Sequence, residues 1–541
     1  MHNKLKRLPA VLIVALLLAS SALASAYNAR PKLVVVFVVD QLREDVLERY
    51  HDQLTEGGFR LILDRGAWFT NCNYEYANTR TAPGHATLGT GSYTVGHGIM
   101  SNGWYDPVRK RNVQAVEDEN TTVVGASVRG SGSSPRNLLT STFADELKLA
   151  TGGQSRVFGI ALKDRAAILP VGFAADGAFW LDRASGLWVT SSYYMKQLPA
   201  WAAEFNSGHR AEKYLNLTWK DADGKTLRTT VPQKKPDGTP VSFYDTVGPT
   251  PFANDYEFEF ARELFVKEKL GTGKTTDLLS VSISSHDILG HKVGPDSAEE
   301  RAMLLALDRQ LAEFFAFIGR QIGLANVTIA ITADHGSSPL PAYAASLRLP
   351  AANVNPDQLE TKVNAALSAR LGRRAEYIRD LEFPVFYLSE EAFGAVNMKE
   401  AEAERAVGNE LLQSGFREFF TKSQLASGDL PPSAFRRRYF NSYSPYSTWY
   451  VMGLPGPFVT GSKYDPVDHS TPFSYDTHVP LGLYGLSFRA GQYRSACEPV
   501  DLASTLSSLL GVNPPASAMG RVLTEAFADS PTPSRTKEQM R

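Results

Sequence analysis

Cysteine is nearly absent from this chain. Its 541 residues include only Cys72 and Cys497, so one bridge at most is available. An oxidising compartment would permit it, and a pair of buried free thiols fits the sequence equally well. Charge of one sign is missing too. Fifty-six Lys and Arg face 57 Asp and Glu, for a net charge of −1 at pH 7. That leaves no basic field for nucleic acid and no acidic tail, so nucleic acid is not an expected partner. Long apolar runs are lacking beyond the first residues. A helical span needs about 20 apolar residues, and no later stretch offers them, so the mature product is expected to be soluble and without a stable membrane anchor. There is no internal repeat.

The N-terminus differs from the rest. Lys4, Lys6 and Arg7 precede the apolar segment Leu8 to Leu18, and small residues follow to Ala24-Ser25-Ala26. This reads as a secretory leader cut after Ala26, which makes the mature protein secreted or periplasmic. The rival reading, an uncleaved anchor, is disfavoured by the short apolar run. No Cys follows the cleavage site to accept a lipid. At the other end, the polar, Pro-containing stretch 530–541 is expected to be disordered.

Apolar strands alternate with helical segments through much of what lies between. Leu33–Val39, Arg156–Leu162, Leu278–Ile283, Val327–Ile331 and Val479–Tyr484 are the strand-like runs. A helix is expected from about Ala298 to Gln321, with Leu304, Leu307, Leu311, Phe314, Phe315 and Ile318 on one face. Thr142-Phe-Ala-Asp145 has the form of a capping box. The expected fold is α/β, a mostly parallel central sheet sandwiched between helices. Two segments interrupt the alternation, about 185–260 (rich in Trp, Tyr, Asn and Gly) and about 341–460. Both are expected to be insertions into a single catalytic domain spanning 27–529.

Sheets of this kind place their sites beyond the carboxyl ends of the strands. Asp40, Lys163, Asp287 and Asp334 all follow their strands in this way. A lone Asp there is ordinarily a cap or a turn former, and a lone His is ordinarily structural. Joint occurrence changes the reading, because Asp287 is followed four residues on by His291, Asp334 directly by His335, and His478 introduces another strand. His478 enters its strand instead of leaving it, so a loop must carry it to the shared rim. Three carboxylates and three imidazoles suit Zn²⁺. Divided between two ions, they leave room for substrate or water on each.

Thr81-Ala-Pro-Gly-His fits the first turn of a helix, where Pro83 costs no hydrogen bond and an anion is favoured. Thr81 is therefore the expected nucleophile and a further metal contact, although in isolation it would read as an ordinary cap. Lys163 and Arg165 add two positive charges, a balance suited to a dianionic phosphomonoester. Asn102 can donate its amide to another phosphoryl oxygen, although capping is the default role for an Asn beside Gly. His85 and His97 are expected to fix loop geometry, and His286 to point away from the site. His469 is expected to be at most a supporting or substrate contact.

These residues, in this order, resemble the alkaline phosphatase superfamily, and within it the phosphate-irrepressible alkaline phosphatases with a threonine nucleophile. The matching segments are Val-Val-Asp40-Gln, Thr81-Ala-Pro-Gly-His85, Gly-His97-Gly-Ile to Asn102 with Trp104-Tyr105, Lys163-Asp-Arg165, Asp287 to His291, Asp334-His-Gly336, Tyr475-Asp-Thr-His478-Val-Pro480 and Gly520-Arg521-Val. The resemblance implies one zinc on Asp287, His291 and His478, and a second on Asp40, Asp334 and His335 beside Thr81. It implies a phosphothreonine intermediate, hydrolysed by a zinc-bound hydroxide, with Asn102, Lys163 and Arg165 clamping the phosphoryl group. Small phosphomonoesters are the expected substrates, acted on by a monomer. Diester-cleaving nucleotide pyrophosphatases/phosphodiesterases are the first alternative, without the Lys-x-Arg pair. A periplasmic metal-binding protein without turnover is the second. Sulfatases are set aside, because they need a modifiable Cys or Ser in C/S-x-P-x-R.

Overall fold

The computed structural model describes residues 30–126, 131–462 and 465–528. The leader and the C-terminal tail read from sequence lie outside them. Elements that position the site are named in chain order: β1 (Leu33–Val39), β2 (Ala67–Phe69), α1 (Thr81–Thr90), β3 (Val157–Ala161), β4 (Gly177–Leu181), α2 (Pro251–Lys267), β5 (Asp277–Ile283), α3 (Ser285–Val293), α4 (Ala298–Ile322), β6 (Val327–Thr332), β7 (Ile378–Glu382), β8 (Val385–Leu388), β9 (Glu418–Thr421), β10 (Tyr450–Leu454) and β11 (Leu481–Tyr484).

Among the described residues, eleven strands form one sheet, whose middle runs β2-β11-β6-β1-β5-β3-β4. β1, β5, β6, β3 and β4 are mutually parallel. Each residue of β1 is buried, as expected of a β-branched run covered on both faces. On one face Phe37 meets Phe314 and Phe315 of α4 edge-on, at 5.8 and 5.5 Å. Burying such a ring stabilises the fold by about 1.5–3 kcal/mol. The oxygen of Ser297 caps α4 by accepting from the Glu300 amide, and the helix stops at Gly323, whose φ of +79° suits a residue without Cβ. The expected capping box is present, with Thr142 accepting from the Asp145 amide and Asp145 accepting from that of Thr142.

Strand register levels the carboxyl ends. Val39 lies opposite Ile283, Val38 opposite Thr332 and Ser282 opposite Ala161. The residues that follow, Asp40, Asp287, Asp334 and Lys163, therefore emerge on one rim. β11 departs from the parallel rule. It runs antiparallel to β6, with Leu481 opposite Thr332, so its entry end already lies on that rim and no loop has to cross the sheet.

The two interrupting stretches differ in where they pack. Within 185–260, Trp188 stacks on Phe260 of α2 at 4.4 Å and joins the main core. Within 341–460, β7, β8, β10 and β9 form a separate antiparallel sheet with its own cluster around Val363, Phe386, Phe393 and Val407. Trp104 and Tyr105 pack against this second sheet, close to where Asn102 leaves for the site. Cys72 and Cys497 face each other across an isolated parallel bridge and are buried free thiols. Among the described residues no helix is long and apolar enough to cross a membrane.

Candidate metal centre and nucleophile

Helix α1 begins at Thr81 itself. Arg80 occupies the N-cap position with no side-chain cap, so the Thr81 hydroxyl is not consumed in capping. The first turn is held from outside. The His85 ring bonds the Thr81 carbonyl at 2.8 Å and Ser282 Oγ at 2.7 Å, and the Ala82 amide donates to Asn102 Oδ1 at 2.9 Å. That bond fixes the Asn102 side chain and leaves its NH₂ for another partner. Gly84 lets the helix lie against the neighbouring strand end, since a Cβ there would come within 2.3 Å of the Asp334 carbonyl.

Two groups of donors converge beside this turn. Asp40, Asp334 and His335 bring ligand atoms within 4.8 Å of one another, and all three are buried. His335 Nε2 is 3.5 Å from both Asp40 Oδ1 and Asp334 Oδ2; Asp40 Oδ1 and His335 Nε2 have no hydrogen-bond partner, and Asp334 Oδ2 has only the His85 ring nearby, at 3.2 Å. Buried polar atoms are nearly always satisfied, so this under-satisfied set of two carboxylate oxygens and one imidazole nitrogen fits a divalent cation. In the second group, Asp287 is 3.1 Å from His291 Nε2 and 3.9 Å from His469 Nε2. Their other ring nitrogens are oriented by backbone carbonyls, His291 by Val467 at 2.8 Å and His469 by Thr79 at 2.6 Å, an arrangement usual for metal-bound imidazoles. His335 and His469 stack at 3.8 Å, which brings the two groups into one centre. Asp468 also falls within ligand reach of His291 and His469.

His478 does not join them. Its Nε2 lies 3.1 Å from the Thr70 carbonyl and 3.9 Å from Glu44, and its side chain is about one-third exposed. In the place expected of His478 the structure has His469, nine residues earlier. The antiparallel course of β11 does bring its entry end to the rim, but His478 closes a short helical turn (Ser474–Thr477) and bridges Asn73 beyond the end of β2. The loop before that turn, which carries Asp468 and His469, is the segment that reaches the second group. One signal was available in the sequence: Asp468-His469 repeats the Asp334-His335 pairing.

Lys163 Nζ sits between the groups, 2.6 Å from Asp40 Oδ2 and 2.5 Å from Asp287 Oδ2. Burial opposes its charge, yet Asp287 and Asp40 together hold its pKa above the usual lysine value. Asp40 is pushed well up, by burial first and then by Asp287 and Asp334. Asp287 is held well down, because Lys163 and His291 outweigh its burial. His291 is pushed up to about 10, with burial opposing and Asp287 prevailing. His469 is pushed down by burial and by its neighbours His335 and His291. Asp40 is thus a buried carboxylate short of positive partners, as a cation site requires.

The second group, Asp287, His291 and His469, lines a cavity of about 370 Å³ whose walls also include Thr81, Asn102, Lys163 and Arg165. The structure thus gathers every expected site residue except His478. Among the discounted histidines, His286 turns to the Asp40 carbonyl at 3.1 Å and His97 accepts from the Ile99 amide at 3.0 Å.

Residues 34–410 match the family model described as type I phosphodiesterase / nucleotide pyrophosphatase. A Myroides odoratus protein named calcium-transporting ATPase is 32% identical, over 94% of this chain and 96% of the relative. Alkaline phosphatase PhoV of Synechococcus elongatus is 32% identical, over 92% and 93%, and alkaline phosphatase PafA of Elizabethkingia meningoseptica 31%, over 92% and 95%. The crystal structure of wild-type PafA superposes with a TM-score of 0.84 at 30% identity, covering 92% of this chain and 99% of PafA. The chain therefore belongs to the type I phosphodiesterase / nucleotide pyrophosphatase family of the alkaline phosphatase superfamily, beside the PafA-like alkaline phosphatases.

Proposed function

We propose that this protein is an alkaline phosphatase, a zinc-dependent hydrolase of small phosphomonoesters that acts through a phosphothreonine at Thr81. The observation that carries the reading is the under-satisfied buried set Asp40 Oδ1, Asp334 Oδ2 and His335 Nε2 next to the helix start at Thr81, whose hydroxyl is not used as a cap. Asp40, Asp334 and His335 would hold one zinc and Asp287, His291 and His469 the other. When bound, the ions supply Lewis acidity and lower the pKa of oxygen nucleophiles.

The chain's own residues do the rest. Thr81 Oγ attacks phosphorus in line with the departing alkoxide, and the N-terminal turn of α1 favours the anion gathering above it. Asn102, Lys163 and Arg165 hold the equatorial oxygens. Water then attacks the phosphothreonine from the opposite side and releases phosphate. Two zinc ions with three aspartates carry about +1, and ionised Thr81 brings that to about zero. Lys163 and Arg165 then make the cavity positive enough to favour a dianionic monoester over a monoanionic diester. PafA offers a parallel: a solved variant of it replaces one threonine by serine and one asparagine, lysine and arginine by alanine. The spacings from threonine to asparagine and from lysine to arginine in that protein are those of Thr81 to Asn102 and Lys163 to Arg165 here.

The test is a paired assay on an aryl phosphate, a bis-aryl phosphate and ATP at neutral to alkaline pH. Monoester turnover should dominate, vanish on chelation and return with Zn²⁺. Faster turnover of the bis-aryl phosphate would favour the phosphodiesterase alternative, and the ATP arm addresses the name of the Myroides relative. Replacing Lys163 and Arg165 together by Ala should narrow the ratio of monoester to diester kcat/KM at least tenfold; equal losses on both substrates would remove the clamp's role in discrimination. The residue pattern of 1–26 supports a secretory leader, which N-terminal sequencing of the exported protein checks.

A further inference from the structure

We propose that Gln41 is a positioning residue that bridges the two metal sites and sets the affinity of the one built on Asp287; this rests on the two-site reading above. Gln41 follows Asp40 directly and is buried. Its φ of +70° lies in the left-handed region, which a residue with a Cβ enters only at a cost in stability. Strain of this kind at a site is grounds for asking what it achieves. Here it turns one residue toward both neighbouring strand ends. The Gln41 amide donates to Asp334 Oδ1 at 3.1 Å, and its side-chain Nε2 donates to Asp287 Oδ1 at 2.9 Å. A carboxylate in each group is thus fixed by the residue that immediately follows Asp40.

The donor type matters. Lys163 engages Asp287 Oδ2, while Gln41 orients the other oxygen without adding a positive charge that would compete with a cation. The opposite amide orientation would press an oxygen against a carboxylate, so the donor orientation is the favourable one. The helix carrying two of the ligands has been shaped to admit this side chain. Gly290 lies in α3 between Asp287 and His291, and a Cβ there would come within 2.0 Å of Gln41 Oε1. Glycine inside a helix weakens it. A left-handed glutamine and a helical glycine are two local departures that meet at one side-chain amide: Gly290 leaves room for its oxygen, and its Nε2 holds Asp287.

The test uses the full chain as wild type, Gln41→Gly, Gln41→Glu and Gly290→Ala. Each is stripped, reloaded with Zn²⁺ and titrated against a chromophoric chelator, and the metal-free forms are melted. Gln41→Gly retains the backbone donor to Asp334, tolerates the left-handed φ and loses only the bond to Asp287. It should weaken one of the two zinc sites by about 10–100-fold, leave the other within about twofold, and leave the metal-free melting temperature unchanged or raised. Gln41→Glu sets a carboxylate against Asp287 and should weaken the same site at least as much. Gly290→Ala should weaken it by displacing the amide. Retention of both sites within twofold in all three variants would overturn the assignment. So would equal weakening of both sites with a lowered metal-free melting temperature, the mark of a purely structural role. A wild-type protein that takes up no zinc would overturn the metal reading itself, and the role of Gln41 with it.

Discussion

Replacing Thr81 by Ala should lower kcat/KM on an aryl phosphate by about 10⁴–10⁶-fold, the range seen when a nucleophile is removed from an otherwise intact site. The loss is large because the hydroxyl is the attacking group. It should also be clean. Thr81 is the first residue of α1, its hydroxyl caps nothing, and the turn is held by the His85 ring on the Thr81 carbonyl and by Asn102 on the Ala82 amide. Neither bond involves the side chain. Zinc content by elemental analysis and the melting temperature should therefore stay near wild type. A variant that loses metal together with activity would make Thr81 chiefly a ligand or a structural residue.

The second large effect separates two histidines nine positions apart. His469→Ala should empty the Asp287 site at zinc concentrations that saturate the wild type and cost at least about 10³-fold in kcat/KM, well beyond the loss typical of a residue that only supports a ligand. His478→Ala should retain both ions and lie within about tenfold of wild-type activity, because its ring faces the Thr70 carbonyl instead of the cavity. Elemental analysis and steady-state kinetics on the two variants decide the matter. The reverse pattern would restore His478 as a ligand and invalidate the geometry described for His469.

These two histidines also show how far the sequence could be read. Asp40, Asp287 and Asp334 were legible because buried parallel strands announce themselves as continuous apolar runs and their carboxyl ends share an edge. Asp334 and His335 are adjacent, and Asp287 and His291 are one helical turn apart, so short-range pattern sufficed for them. Thr81 at a helix start was legible from Pro83 alone. His469 was not, since it sits on an irregular loop with no period to fix its direction, whereas His478 stood directly before a strand. That strand runs antiparallel to β6, which apolar content cannot reveal. Gln41 was hidden for a further reason: its role depends on a backbone angle and on contacts with residues about 250 and 290 positions away. The separate sheet within 341–460 was legible as a break in the alternation, without its strand pairing.

Arg80, the residue before the nucleophile, reaches out to that second sheet. Its guanidinium donates to the Phe383 carbonyl at 2.6 Å and lies 3.4 Å from Glu382, at the turn joining β7 and β8. A swinging lid would have to break this tether each time it opened, and with it disturb the backbone that presents Thr81. Movement of that sheet relative to α1 is therefore tied, through this one residue, to the backbone that carries Thr81.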